Sequence, residues 1–175
     1  MSYLERLQHI NTFILDLDGV LTDGTVLVTE SGEQLRRMSI RDGYAMQLAA
    51  KMGYTLMVVS GGNSQTVVPR LQKLGVHEIH IGAKNKVELI NELLAKHNKN
   101  WNEVLFMGDD IPDIPAMQLA HLACAPADAV PEIKSLAHYI SPVKGGEGCV
   151  RDVIEKVMKV RQHWNNEYST LTRST

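Results

Sequence analysis

An α/β fold, with a mostly parallel sheet and helices on both of its faces, is expected from three observations on the 175-residue chain. Short uninterrupted apolar runs recur, as parallel strands buried on both faces require. Stretches of helical spacing separate them, as crossover connections require. Polar residues stand at the ends of these runs: Asp16, Ser60 and Asp109 each follow one. In an open parallel sheet the carboxyl ends of the strands face a common crevice, so these three residues can share one site.

The first strand is expected over 12–15. Residues 24–28 and 33–40 read as the arms of a small β-hairpin, placed at 25–40, with Glu30-Ser31-Gly32-Glu33 supplying the turn. Asp42 is expected to cap a helix running to Met52, with Met46, Leu48, Ala49 and Met52 inward and Gly53 at its stop. A strand over 55–59 follows. A helical pattern then runs from Ser64 towards Gly75. Pro69 has no amide hydrogen to return to Gln65, which demands a kink or a late start. A strand over 77–81 precedes a helix over 85–97, whose Val87, Leu89, Ile90, Leu93 and Leu94 face inward. The strand over 104–107 is a strong apolar run. A helix begins near Ile111, where Pro112 suits the first turn. Strands over 119–123 and 138–140 flank a proline-containing helix, and a last helix spans 150–163.

The length corresponds to one domain, placed at 1–164. The polar, Ser/Thr-rich tail 165–175 is expected to be loose. The 18 basic and 20 acidic residues nearly balance, giving a net charge of -2. That argues against a nucleic-acid protein held by a broad basic face. No run reaches the roughly 18 apolar residues of a membrane span, and no apolar signal core precedes a small-residue cleavage site. Two cysteines cannot build a disulfide framework. A reducing, cytoplasmic setting is the expectation.

The sharpest chemical signal is Asp16-Leu17-Asp18-Gly19 at the end of the first strand. In extended backbone Asp16 and Asp18 turn to the same side. One carboxylate can attack phosphorus while the other gives a proton to the leaving oxygen. A second acidic cluster, Gly108-Asp109-Asp110-Ile111-Pro112-Asp113, follows the 104–107 run. Crowded carboxylates repel unless a cation compensates them, and an all-oxygen donor set suits Mg2+. Direct coordination is expected from the Asp16 carboxylate, the Asp18 main-chain oxygen and Asp109. Asp110 and Asp113 would orient them or bind through water. Ser60 and Gly61 offer a hydroxyl and an amide to phosphate oxygens. Lys84 and Lys86 both stand where a helix begins, a place that favours anions.

Taken together, Asp16-Leu17-Asp18-Gly19-Val20-Leu21-Thr22-Asp23-Gly24, Ser60-Gly61, Lys86 and Gly108-Asp109-Asp110-Ile111-Pro112-Asp113 resemble the motifs of the haloacid-dehalogenase-like phosphatase superfamily. The likeness covers about residues 10–160 and implies a magnesium-dependent phosphomonoesterase with a Rossmann-like core. It selects Lys86 over Lys84 as the phosphate ligand. It makes Asp16 the nucleophile that forms an aspartyl-phosphate, and Asp18 the acid that then activates water. Neither 24–60 nor 86–108 can house a large lid, so the chain resembles the capless branch. Members there are typically homotetramers with the hairpin near a neighbour's site.

The same likeness implies substrate contacts from Thr25 and from Gly145, Gly146 and Gly148, in a loop resembling Gly-Gly-x-Gly-x-x-Arg. Arg70 and Lys73 match basic substrate-carboxylate positions. Arg36 and Arg37 lie either near the mouth or on the hairpin face. The substrate implied is a small sugar-acid phosphate. 3-Deoxy-D-manno-octulosonate 8-phosphate, a lipopolysaccharide precursor, is favoured over 2-keto-3-deoxy-nononic acid 9-phosphate, because Gly62 stands where the nine-carbon branch carries glutamate. A silent phosphate-binding scaffold, a phosphomutase and a nucleotide phosphatase are the rival functions. His77-Glu78-Ile79-His80 lacks the spacing of a helical zinc motif and reads as structural.

Overall fold

The computed structural model describes residues 2–164; the expectation for the tail 165–175 lies outside the described residues. Its elements in chain order are α1 (Tyr3–Leu7), β1 (Thr12–Leu15), β2 (Leu27–Val28), β3 (Gln34–Leu35), α2 (Ile40–Lys51), β4 (Thr55–Ser60), α3 (Val68–Lys73) and β5 (Glu78–Ile81). There follow α4 (Lys86–Lys96), β6 (Val104–Met107), α5 (Ile114–Leu119), β7 (Leu122–Ala125), α6 (Pro131–Leu136), β8 (Tyr139–Ile140) and α7 (Cys149–Val160).

Six strands form one sheet in the order β5-β4-β1-β6-β7-β8, and every pairing in it is parallel. The central strands succeed because their runs are apolar on both sides. Phe13 and Leu15, Leu56 and Val58, Leu105 and Met107 face one core, against α1, α2, α3 and α7. Ile14, Met57, Val59 and Phe106 alternate with them and face a second core, against α4, α5 and α6. Period-two alternation thus fills two layers from one set of strands. The order of strands reverses at β1, which puts the crevice at its carboxyl end.

Three local features depart from the sequence expectations. The cap of α2 is Ser39, whose side chain accepts from the Asp42 amide. Asp42 is buried and instead accepts from the Arg151 amide at 2.7 Å, so it holds the start of α7. The strand expected over 119–123 lies at β7, because Leu105 pairs with Leu122 and Met107 with Cys124. Leu119 ends α5 and is exposed. The hairpin is shorter than its apolar pattern: only Leu27–Val28 and Gln34–Leu35 pair as strands, and a separate bridge joins Thr22 to Met38. The demand of Pro69 is met by a late start, with a 3-10 turn over Gln65–Val67 and the proline in the first turn of α3. Among the described residues no helix is long and apolar enough to cross a membrane.

Candidate active site

β1, β4 and β6 deliver their polar ends to one cleft of about 190 Å3, lined by Asp16, Asp18, Ser60, Gly61, Gly62, Lys86, Asp109, Asp110, Pro112 and Asp113. The β1 ladder continues through the Asp16 amide, which donates to the Met107 carbonyl at 3.0 Å. This pins the backbone of Asp16 between its neighbours. The chain then turns sharply through Gly19, at φ +86. A Cβ there would stand 2.0 Å from Asp109 Oδ2, so the glycine lets the two acidic loops close on each other. Gly108 does the same on the other side: a Cβ would meet the Asp113 side chain at 2.5 Å.

Carboxylate oxygens of Asp16, Asp109 and Asp113 all lie within 4.8 Å of one another. Lys86, first residue of α4, places Nζ 2.5 Å from Asp16 Oδ1 and 2.6 Å from Asp113 Oδ1. A cation at a helix start opposes the macrodipole, and these two carboxylates offset that cost. Burial works against the ammonium, yet Asp16 and Asp113 outweigh it and hold the Lys86 pKa above its ordinary value. One lysine does not neutralise three acids. Burial, and then repulsion from Asp113, raise the pKa of Asp16. Burial, followed by Asp16, Asp113 and Asp110, pushes that of Asp109 to about 7.

The site therefore carries an excess of oxygen donors whose ionisation is costly without a further positive charge. That is the environment a hard divalent cation stabilises, and the donor set fits magnesium. Asp113 has Oδ1 on Lys86 and accepts the Asp109 amide at Oδ2 (3.1 Å), so it orients its neighbours as well as adding charge. Asp110 accepts from the Ile111 amide and caps the turn Ile111–Asp113.

Ser60 Oγ, buried, accepts from the Gly62 amide at 3.1 Å, which leaves its hydroxyl hydrogen free to donate. Gly61 is exposed at the cleft. Asp18 has Oδ1 2.6 Å from Arg36 Nε. Sequence reasoning set Arg36 at either of two places, and the structure sets it against Asp18. Arg37 instead pairs with Asp23 at 2.9 Å.

Several expected substrate contacts lie elsewhere within the single chain. Thr25 donates through its amide and hydroxyl to Asp23. Arg70 reaches the Ser39 carbonyl, and with Lys73 it lines a separate groove beside α2. Gly145 and Gly146 are buried behind the Asp16–Asp23 loop, where a Cβ on Gly145 would stand 1.9 Å from the Gly19 carbonyl oxygen. Their smallness sets the position of that loop. Gly148 precedes α7. Cys149 is buried beneath the same loop and donates Sγ–H to the Val20 carbonyl. Sequence reasoning missed Gly62 and Gly108 as residues the site needs. Their signal was present in the two glycine-containing strand ends, but the side chains they make room for are set only by the fold.

The chain is similar to known proteins over most of its length. A profile described as haloacid dehalogenase-like hydrolase matches residues 37–121. The 3-deoxy-D-manno-octulosonate 8-phosphate phosphatase of Yersinia pestis is 32% identical over 155 residues, which cover 89% of this chain and 83% of that protein. A crystal structure of the phosphatase of that name from the same organism superposes with a TM-score of 0.90 at 30% identity, covering 93% of this chain and 88% of the other. The Moraxella catarrhalis phosphatase of the same name, solved with a magnesium ion, a phosphate ion and KDO, superposes with a TM-score of 0.92 at 26% identity, covering 97% of each chain. The chain belongs to the haloacid dehalogenase-like hydrolases, in the branch without a large cap domain, and is a phosphoric monoester hydrolase.

Proposed function

We propose that the chain hydrolyses 3-deoxy-D-manno-octulosonate 8-phosphate in a magnesium-dependent reaction through an aspartyl-phosphate. The observation that carries the reading is the convergence of Asp16, Asp109, Asp113 and Lys86 on one cleft beside Ser60. Lys86 holds Asp16 Oδ1, which leaves the other oxygen to attack phosphorus. The P–O bond to the sugar breaks as the Asp16–phosphorus bond forms, and Asp18 passes its proton to the departing alkoxide. Asp18 then takes a proton from water as that water attacks the phosphoaspartate. Inorganic phosphate leaves and Asp16 is restored. Ser60 and the Gly61 amide hold the transferring oxygens with Lys86. Asp16, the Asp18 carbonyl and Asp109 would hold magnesium, with Asp110 and Asp113 supporting them, and the ion would supply positive charge against the phosphoryl oxygens.

The eight-carbon acid is preferred because the relatives reported above carry that substrate in their names, and because Gly62 offers no acidic group at the cleft. A cleft of about 190 Å3 is filled by a phosphoryl group, its cation and a few atoms more, so the rest of the sugar acid lies beyond it. In this reading the chain acts in the cytoplasm on a lipopolysaccharide precursor. It does so as a homotetramer whose hairpin approaches a neighbour's cleft, where Thr25, Arg70 and Lys73 reach the sugar acid. Val26, Leu27, Val28 and Leu35 support that assembly, since the hairpin exposes all four.

The test is phosphate release from a panel of eight- and nine-carbon sugar-acid phosphates, nucleotides and p-nitrophenyl phosphate, with magnesium and with chelator. Greatest kcat/KM on the octulosonate 8-phosphate, lost with chelator and with Asp16→Asn, is expected. Preference for a nine-carbon phosphate would overturn the substrate. Full turnover by Asp16→Asn would overturn the mechanism.

A further inference from the structure

Two adjacent arginines on the returning arm of the hairpin are sorted to different tasks. The bridge from Met38 to Thr22 ties that arm to the loop carrying Asp18. Thr22 is buried, and its hydroxyl oxygen accepts from the amides of Gly19 (3.2 Å) and Gly24 (3.3 Å). Arg36 and Met38, two positions apart, both turn inward: Met38 packs on the main core, and the Arg36 side chain is only 8% exposed. Arg37, between them, turns outward and is 73% exposed at its side chain. This is the alternation of extended backbone, and it aims Arg36 at the cleft.

The two carboxylate oxygens of Asp18 have different surroundings. Oδ1 receives Arg36 Nε at 2.6 Å. Oδ2 lies against Gly62, where a Cβ would stand only 2.7 Å away. Either oxygen could face the reacting atoms if the side chain turned freely. The single Arg36 Nε contact fixes one oxygen, and the bare glycine leaves room for the other, which together favour one orientation.

We infer that Arg36 is a positioning residue for Asp18, holding Oδ1 so that Oδ2, on the Ser60–Gly62 side, is the oxygen presented to the leaving group and to water. The inference rests on the acid/base role given to Asp18 in the proposed function. It requires an effect on turnover and none on substrate capture. Arg36 also lines a neighbouring groove of about 360 Å3 with Leu35, Met38, Ile40, Thr66, Val67 and Arg70. A direct grip on the substrate from that groove would show the opposite signature.

The experiment compares wild type, Arg36→Met and Arg36→Lys with magnesium, on p-nitrophenyl phosphate and on the octulosonate 8-phosphate. Methionine keeps the apolar stem and removes the charge, and melting curves confirm that each variant is folded. Arg36→Met is expected to lose kcat by roughly 10–100-fold, part of the 10²–10⁴ that a positioned acid/base supplies, with KM within about threefold of wild type. Arg36→Lys is expected to regain at least half of the lost logarithm of kcat, while methionine regains none. A KM raised tenfold at unchanged kcat would make Arg36 a substrate ligand and overturn the inference. So would unchanged kcat in Arg36→Met, or a lysine variant no better than methionine. Should Arg36→Met unfold, the kcat and KM of the folded Arg36→Lys decide by the same split. A wild type inactive on both substrates would defeat the proposed role of Asp18, and this inference with it.

Discussion

Replacing Asp109 by asparagine in metal-free protein isolates the electrostatic cost of the site. Burial and three neighbouring acids push the folded Asp109 pKa from an ordinary 3.8 to about 7. Between those values the folded chain holds a proton that the unfolded chain has released. Raising the pH therefore draws the equilibrium towards the unfolded state. The stability at issue is fully present below pH ~4 and is lost as the pH rises to about 7. At about 1.36 kcal/mol per pH unit the gap amounts to ~4 kcal/mol. Part of Asp109 meets solvent, which reduces this to ~2–3 kcal/mol. Urea unfolding of wild type and Asp109→Asn, with chelator, across pH 4–8 reads the difference. Asparagine has no proton to release, so the wild type should fall by ~2–3 kcal/mol relative to the variant. Magnesium takes the ionised form, so its stabilisation of the wild type should grow with pH, reaching ~2.7 kcal/mol at 100 times its dissociation constant. Parallel curves for the two proteins would refute the reasoning, as would equal stabilisation by magnesium at pH 5 and pH 8.

Lys86→Met removes both charge-assisted contacts, to Asp16 and Asp113, and should lower kcat by roughly 10²–10³, the usual cost of one preorganised donor. Steady-state rates on p-nitrophenyl phosphate with magnesium check it; a loss under threefold would remove Lys86 from the phosphoryl site. The exposed apolar hairpin predicts an assembly, so light scattering should give about four times the 19.5 kDa chain mass. Leu27→Asp should reduce that mass, and a monomeric wild type would refute the tetramer.

The central strands were legible because 12–15, 55–59 and 104–107 are apolar without a break, and full burial on two faces is the only use for such runs. Their ends then located Asp16, Ser60 and Asp109 without further information. Asp42 was misread because an acid near a helix start reads as a cap. Ser39, three residues earlier, takes that role, and packing of α2 on α7 gives Asp42 the Arg151 amide instead. Residues 119–125 are apolar apart from His121, so sequence could not distinguish the last turn of α5 from the first residue of β7. Pairing with β6 decided it. Arg36 and Arg37 are chemically identical neighbours, and only the Thr22–Met38 bridge separates them.

The glycines explain why so small a chain can assemble this chemistry without a lid. A cap domain would shape a site by closing on it from above. Here the shaping comes from below and from the side. Gly145 and Gly146 let the 145–148 loop pass directly behind the Asp16–Asp23 loop. Gly19 admits Asp109, Gly108 admits Asp113 and Gly62 admits Asp18, each at a distance no Cβ tolerates. Five missing side chains thus make room for Asp18, Asp109 and Asp113 beside Asp16 in one cleft. Carboxylates so crowded gain stability only when cations are added, so close packing of the loops and demand for a metal are one physical fact. The hairpin completes the set, because Arg36 is the one cation it brings to the reacting side.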